Sequence, residues 1–285
     1  MESEIVFAAI NAWTFPRELT PAEQIAAAAG AGFAGLELTV AVDGPLQFDT
    51  PPAEFEELAR RAADANLRLP SLATGEFWQT NYGDPDAETR RKAADLTLRM
   101  LDRAVACGAE AILVVPAVVG RAGDARPRSG YADALHHTLD ALRTLRHEAE
   151  SRGVTIALEN VWNRFLLSPV EAADLLARVN SPYVSWYLDT GNVLALGYPE
   201  DWIDTLGGRV ARVHIKDYDL ARAGADGFCP LGEGSVDWPG VMAALRRVGY
   251  RGPLTFEGAG EPAEIFRRLD NIINDRPACE KGAGQ

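Results

Sequence analysis

Cysteine, histidine and positive charge are all scarce in this sequence. Its 285 residues include three cysteines and four histidines. Because the cysteines are odd in number and form no Cys-x-x-Cys pair, they do not support a disulfide framework, and we expect a reduced, cytoplasmic setting. Lys and Arg number 28 against 41 Asp and Glu, a formal net charge of −13 at pH 7. A chain this acidic repels phosphate backbones, so we expect no nucleic-acid partner.

Long apolar runs and glycine-rich phosphate fingerprints are missing as well. No run approaches the roughly 20 apolar residues that cross a bilayer. The stretch from Met1 to Glu4 lacks the basic start of a signal peptide, so we expect no membrane partner. No Gly-x-Gly-x-x-Gly pattern follows the first predicted strand, which disfavours an open, doubly wound nucleotide-binding sheet.

The sequence does contain a regular alternation of apolar, strand-like segments and segments with helical periodicity. Strands are predicted at 5–13, 32–40, 67–75, 111–119, 155–162, 184–189, 210–217 and 253–258. Helices are predicted at 21–30, 53–65, 86–106, 131–151, from 168 onward, and at 199–206, 237–248 and 261–273. Eight strand–helix pairs favour parallel strands, and they predict an α/β protein with a single (β/α)8 barrel, the TIM barrel. We expect one catalytic domain over residues 1–276 and a disordered tail at 277–285.

Polar side chains close the last four predicted strands. They are Glu159, Asp189, His214 and Glu257. Strand side chains alternate between the barrel interior and the helix layer. In each of these strands the residues on the same face as the polar end are smaller or polar, whereas the bulky apolar residues lie on the other face. This shared phase predicts that the four side chains point inward and meet at the mouth of the barrel.

Three carboxylates and one imidazole suit one divalent cation; we expect Mn²⁺ first, with Mg²⁺, Co²⁺ or Zn²⁺ as alternatives. Such a site leaves room for a hydroxy-ketone, whose deprotonation would give a metal-bound enediolate. Glu159 and Glu257 are candidates for the acid/base pair: returning the proton to the opposite face is epimerisation, and moving it to the next carbon is isomerisation. The alternative is an inosose-type dehydratase on the same metal site, because the same enediolate can expel a neighbouring hydroxyl.

Several of these segments resemble the xylose isomerase-like barrel superfamily of sugar phosphate isomerases and epimerases. The resemblance covers essentially the whole chain and is carried by 158–160, 188–192, 213–217, 232–238 and 256–257. It is closest to L-ribulose-5-phosphate (L-xylulose-5-phosphate) 3-epimerases and more distant to D-tagatose and D-allulose 3-epimerases. The resemblance implies that Glu159, Asp189, His214 and Glu257 bind the metal and that the two glutamates transfer the proton. Free-ketose epimerases usually carry a histidine where this chain has Asn192, which favours a phosphorylated ketose.

Four further residues are predicted to contact the carbohydrate substrate: Trp13, Glu37, Asn192 and Lys216. Trp13 can pack against a sugar's carbon face or cap the core. Glu37 and Lys216 face inward, and each can form an ion pair instead of contacting substrate. Asn192 can instead stabilise a turn after the strand. The loop from Cys229 to Ser235 follows the seventh strand, where TIM barrels often hold phosphate on backbone N–H groups, although a plain helix-entry turn is the alternative. A homodimer or homotetramer is a further expectation.

Overall fold

The computed structural model describes residues 6–279, which form a closed barrel of eight parallel strands with helices between them. The strands in chain order are β1 (Phe7–Asn11), β2 (Gly35–Thr39), β3 (Ser71–Ala73), β4 (Ala111–Val114), β5 (Thr155–Glu159), β6 (Val184–Asp189), β7 (Val210–Ile215), β8 (Asp217–Tyr218), β9 (Phe228–Cys229) and β10 (Pro253–Phe256). The barrel closes in the order β1-β10-β7-β6-β5-β4-β3-β2, while β8 and β9 form a separate antiparallel ribbon. The predicted (β/α)8 barrel is confirmed.

The helices also follow the predicted pattern closely. They are α1 (Pro21–Ala31), α2 (Pro52–Asp64), α3 (Ala87–Cys107), α4 (Tyr131–Arg152), α5 (Pro169–Val179), α6 (Thr190–Leu194), α7 (Pro199–Leu206), α8 (Trp238–Arg247) and α9 (Pro262–Ile273). Helices α1 and α5 begin with capping boxes, in which Thr20 or Ser168 and the glutamate three residues later satisfy each other's backbone N–H groups. No helix among residues 6–279 is long and apolar enough to cross a membrane.

Strand β6 shows how side-chain alternation separates the barrel interior from the helix layer. Trp186 points outward and packs on Trp202 of α7, with 5.5 Å between ring centroids. The next residue, Tyr187, points inward, and its hydroxyl donates to Glu37 of β2 at 2.7 Å. In register, Asp189 lies beside His214, and His214 lies beside Thr255. The polar strand ends therefore share one interior layer, as the sequence pattern predicts.

Two elements were not predicted, and both lie at the mouth of the barrel. Helix α6 starts directly at the end of β6 because Oδ1 of Asp189 accepts a hydrogen bond from the backbone N–H of Asn192, at 2.7 Å. The β8–β9 ribbon pairs Asp217 with Cys229 and folds the loop after β7 back over the barrel end. Each element begins within a few residues of a candidate ligand, helix α6 after Asp189 and β8 after His214, and holds the backbone there in place.

The two chain ends are only partly described. Residues 1–5, which include the predicted start of the first strand, and residues 280–285 lie outside the described range. The predicted tail begins at Pro277, but Ala278 is buried against Gly232, and the thiol of Cys279 lies 3.2 Å from the carbonyl oxygen of Gly232. Packed structure therefore continues to Cys279.

Candidate metal centre and active site

The four predicted ligands meet at one point. One ligand atom from each of Glu159, Asp189, His214 and Glu257 lies within 4.8 Å of all the others. Three of the four side chains are buried and Glu257 is partly buried. Carboxylate oxygens and an imidazole nitrogen at this separation match the donor set of a divalent cation.

The two carboxylate oxygens of Asp189 have different roles: one stabilises the fold and the other faces the candidate metal site. Oδ1 caps helix α6, whereas Oδ2 is buried and makes no hydrogen bond, although the Lys216 ammonium lies 3.0 Å away. Asn160 holds the backbone of Asp189 from both sides: its Oδ1 accepts from the Asp189 N–H at 3.0 Å, and its Nδ2 donates to the Asp189 carbonyl at 2.9 Å. A rigidly held carboxylate oxygen that contacts an ammonium group fits a metal ligand, because a bound cation can take the place of the ammonium group.

His214 of β7 is oriented by Glu37 of β2, across the barrel interior. Nε2 of His214 lies 2.7 Å from Glu37 Oε2, so the proton on this nitrogen points away from the site. Nδ1 then faces Glu159 Oε1 at 3.0 Å and Glu257 Oε2 at 2.8 Å. Burial lowers the pKa of His214, but the acidic groups around it, led by Tyr187 and Glu37, outweigh burial and raise the pKa well above its usual range.

Glu37 is completely buried and has hydrogen-bond donors on both oxygens. Its neighbours are Asn11, Ser71, Tyr187 and His214. Burial raises its pKa, but the charge of His214 and these hydrogen bonds outweigh burial and lower it. Glu37 was predicted as a substrate contact, but it lies behind His214 and does not line the cavity. The geometry favours an orienting role.

Lys216 places its ammonium group among the candidate ligands. Nζ lies 3.0 Å from Asp189 Oδ2 and 2.9 Å from Glu257 Oε2. Burial lowers the pKa of Lys216, but Asp189 and Glu257 outweigh burial and raise it above its usual range. Of the two roles left open by the sequence, the structure displays the ion pair, and the side chain also lines the cavity.

The pKa values of the two glutamates are shifted in opposite directions, although both carboxylates contact Nδ1 of His214. Burial raises the pKa of Glu159 to about 7, in spite of the opposing influence of His214. At Glu257 burial also raises the pKa, but the positive charges of Lys216 and His214 outweigh it and hold the pKa well below its usual range. A pair of carboxyl groups with pKa values moved apart can divide the roles of acid and base.

A cavity of about 240 Å³ opens directly above these groups. Its walls are mainly aromatic and aliphatic, and its polar lining comes from the candidate site. The lining residues are Trp13, Thr74, Trp78, Leu113, Val115, Glu159, Val161, Trp162, Asn192, Lys216, Phe228 and Glu257. Of the four predicted substrate contacts, Trp13, Asn192 and Lys216 line this cavity, and Trp13 is 45% exposed. The volume suits a small ligand with both a carbon face and hydroxyl groups.

Sequence reasoning missed Asn160, Ser71 and Tyr187, which support the ligands from behind. Asn160 directly follows Glu159, so its position at a strand end was a usable signal. Ser71 and Tyr187 reach Glu37 only because the barrel closes, since Tyr187 is 150 residues from Glu37 along the chain. No local pattern in the sequence indicates that contact.

A (β/α)8 barrel with a candidate metal site at the carboxyl ends of its strands is the class that this fold and site define. Within it, the chain belongs to the family of the xylose isomerase-like TIM barrel, whose family model matches residues 25–274. This membership confirms the resemblance carried by the strand-end motifs.

Named relatives of the chain have different activities. It is 26% identical over 209 residues to the L-ribulose-5-phosphate 3-epimerase UlaE of Salmonella paratyphi C, covering 73% of this chain and 70% of the relative. It is 31% identical over 209 residues to a 3-oxo-isoapionate decarboxylase of Pectobacterium atrosepticum, covering 68% of this chain and 62% of the relative. The structure of D-psicose 3-epimerase from Clostridium cellulolyticum H10, solved with D-tagatose, superposes with a TM-score of 0.72 at 17% identity, covering 95% of this chain and 96% of that one. At that identity the superposition shows the fold alone.

Proposed function

We propose that the protein is a divalent-metal-dependent isomerase that epimerises or isomerises a ketose or ketose phosphate. The observation that carries the proposal is the meeting of two glutamates with Asp189 and His214 under a sugar-sized cavity. The epimerase names of a sequence relative and of a structural neighbour support the same reaction class. A cytoplasmic location and a homodimer or homotetramer stay predictions.

Glu159, Asp189, His214 and Glu257 would hold the cation, with Mn²⁺ as the first choice. The bound cation would polarise the substrate carbonyl and stabilise negative charge on its oxygen. The chain supplies the remaining requirements: Glu37 keeps Nδ1 of His214 directed at the site, and Asn160 fixes the backbone of Asp189. The apolar walls would pack against the carbon face of the substrate and reduce the access of water to the reacting carbon.

Glu257 and Glu159 would move the proton. Glu257 is held ionised by Lys216 and His214, so it is the base that accepts the proton from the carbon next to the carbonyl. Glu159 would be the acid: burial makes its carboxyl the more basic of the two, so a proton that enters the site during turnover is held by Glu159 and returned from it to the carbon. Return to the opposite face of the same carbon inverts it, whereas return to the neighbouring carbon interconverts ketose and aldose.

Proton exchange in D₂O, followed by NMR, tests this function. The Mn²⁺-loaded protein would be incubated with pentuloses, hexuloses and their phosphates, then again after removal of metal by a chelator. Deuterium at C3 identifies an epimerase, and deuterium at C1 or C2 an isomerase. Glu159→Gln and Glu257→Gln should each lose exchange by on the order of 100-fold or more. Glu148→Gln, an identical change at an exposed ion pair on α4, is the matched control. Unchanged exchange in both active-site variants contradicts the proposed pair.

A lyase is the second candidate, and the 31% identity to a decarboxylase favours keeping it. Decarboxylation of a β-keto sugar acid leaves negative charge beside a carbonyl as carbon dioxide departs. Dehydration of a β-hydroxy ketone passes through the same charge after a base removes the α-proton, and the β-hydroxyl then leaves as water with a proton from an acid. The same cation and Lys216 would stabilise that charge in either reaction. Product mass separates the two functions, because epimerisation and isomerisation conserve mass. A mass loss without deuterium exchange into remaining substrate would favour the lyase.

A further inference from the structure

The loop after β7 has the backbone N–H groups of an anion site, but the chain's own Asp217 already occupies them. Oδ2 of Asp217 accepts from the N–H of Gly232 at 2.8 Å and of Gly234 at 3.2 Å. Oδ1 accepts from the N–H of Val236 at 3.2 Å, and the indole of Trp238 donates to Oδ2 at 3.2 Å. The predicted phosphate loop is therefore organised around an internal carboxylate.

Asp217 cannot readily give up this position to a phosphate. Its side chain is 1% exposed, and its backbone belongs to β8, which pairs with β9. The loop closes tightly on it, because a Cβ at Gly234 would lie 2.2 Å from Asp217 Oδ1. Glu233 adds another negative charge to the same loop and is paired with Arg268 at 2.8 Å. A phosphate entering here would displace a buried carboxylate and dismantle the ribbon.

The rest of the active-site mouth offers no alternative cation for a phosphate. Among the described residues, Lys216 is the sole basic side chain lining the 240 Å³ cavity and the adjoining 520 Å³ cavity between the loops after β7 and β10. Its ammonium group lies beside Asp189 and Glu257, two of the carboxylates that would hold the cation, and therefore at the reacting end of a bound sugar. The adjoining cavity is otherwise lined by apolar or small residues and by carboxylates.

Arg121 and Arg164 lie beside tryptophans of the cavity wall, but neither lines the active-site cavity or the adjoining one. Arg121 packs over the ring of Trp78, 5.5 Å from its centroid, and donates to the Trp78 carbonyl. Arg164 lines a different cavity, which shares only Trp162 with the active-site cavity. Neither guanidinium group faces the space above the candidate metal ligands.

In the sequence, Asn192 in place of a histidine favours a phosphorylated ketose, but the hydrogen bonds of Asn192 remove the basis for that interpretation. Its Nδ2 donates to the carbonyl of Asn160 at 3.1 Å, and its own carbonyl accepts from the indole of Trp162 at 3.0 Å. These bonds tie the segment after β5 to helix α6. The residue at this position is explained by the local structure, whichever sugar is bound.

We propose that the site takes a neutral, unphosphorylated sugar, an inference that rests on the proposed function and names its substrate class. The cation and Lys216 would lie at the carbonyl end of a bound ketose, so a terminal phosphate would lose its hydration against the aromatic walls without gaining a basic side chain. The hydroxyl groups of a neutral ketose can instead bond to Thr74 and Asn192, and its carbon face can pack on the tryptophan walls.

Matched pairs of sugars test this inference, each ketose being compared with its own terminal phosphate on the Mn²⁺-loaded protein. Binding is measured by calorimetry and turnover by deuterium exchange. We expect the neutral member to bind and exchange on the order of 100-fold better than its phosphate, and inorganic phosphate not to compete with it. Tighter or equal binding of the phosphates, or competition by inorganic phosphate, overturns the inference, as does binding of no neutral ketose.

The two measurements also separate this inference from the proposed function. Binding of neutral ketoses without exchange by any sugar would end the proposed function but support the neutral substrate class. Exchange confined to phosphates would preserve the function and overturn the inference. Arg164→Ala is the informative variant in that case, because a phosphate preference that it abolishes would locate the phosphate beyond Trp162, in the cavity that Arg164 lines.

Discussion

Nε2 of His214 lies 2.7 Å from Oε2 of Glu37, and both side chains are completely buried. The contact crosses the barrel interior from β7 to β2 and leaves Nδ1 of His214 for the metal. A carboxylate bonded to the far nitrogen of a ligating histidine fixes both its tautomer and its ring orientation. The candidate metal site therefore depends on Glu37, although Glu37 neither lines the cavity nor is one of the four candidate ligands.

Replacement of Glu37 by Gln should weaken metal binding. The amide presents a donor where the carboxylate accepts from His214, Tyr187 and other neighbours, so the imidazole loses its orientation. We expect the dissociation constant for Mn²⁺ to rise about 10- to 100-fold, as measured by calorimetry. Glu110→Gln, at an exposed position paired with Arg212, is the matched control and should leave the affinity unchanged. Equal affinities in both variants would show that Glu37 serves packing alone.

Replacement of Lys216 by Met should make stability depend more strongly on metal. Without the ammonium group, Asp189 is left as a buried carboxylate and Glu257 as a partly buried one, each with one fewer positive neighbour. Breaking such a pair costs about 3–5 kcal/mol. A divalent cation restores the missing charge. In thermal unfolding, we expect a lower midpoint than wild type without metal and a larger rise on adding Mn²⁺.

Lys92 provides the control for the Lys216 variant. It lies on α3, is largely exposed, and its nearest carboxylate oxygen, on Glu88, is 3.9 Å away. Lys92→Met should therefore respond to Mn²⁺ as the wild type does. A Lys216→Met protein whose response to metal matches this control would mean that the ammonium group does not share the cation's position.

Metal affinity should fall as the pH falls through 7. Burial raises the pKa of Glu159 to about 7, so in the metal-free protein this carboxyl carries a proton below that pH. Metal binding needs the ionised form, and a proton must leave when the cation enters. We expect the apparent affinity for Mn²⁺ to drop about tenfold per pH unit below 7 from this group alone. Calorimetric titrations with Mn²⁺ at about pH 6 and about pH 8, in buffers of different ionisation enthalpy, would count the protons released on binding. An affinity for Mn²⁺ that does not depend on pH would contradict the raised pKa of Glu159.

The sequence predicts the candidate metal ligands better than the residues that orient them, because the first depend on local properties and the second on how the barrel closes. A strand end and its side-chain parity are local properties, so Asp189 and His214 can be assigned from the residues around them. Glu37 shows the limit: its inward direction is predictable, but its partner depends on barrel closure, which brings β2 across from β7. Asp217 shows another limit. Nothing in a glycine-containing loop indicates that its N–H groups will bind a side chain of the same chain rather than a ligand.

The glycine at 234 should be required for the loop that encloses Asp217. A Cβ there would lie 2.2 Å from Asp217 Oδ1 and 2.9 Å from Cys229 Sγ, so Gly234→Ala must push the loop away from the carboxylate. We expect a loss of about 1–3 kcal/mol in the free energy of unfolding, measured by urea denaturation. Gly208→Ala is the matched control, because a Cβ there meets nothing within 4 Å. Its effect should stay within about 0.5 kcal/mol.

The same variant also tests whether the loop supports the site, since Asp217 directly follows Lys216. A displaced Asp217 would move the Lys216 ammonium relative to Asp189 and Glu257, which it contacts at 3.0 and 2.9 Å. We therefore expect Gly234→Ala to change Mn²⁺ affinity as well as stability, and Gly208→Ala to change neither. A Gly234→Ala protein that is less stable but binds Mn²⁺ like the wild type would show that the loop closes the barrel end without positioning the cation-binding groups.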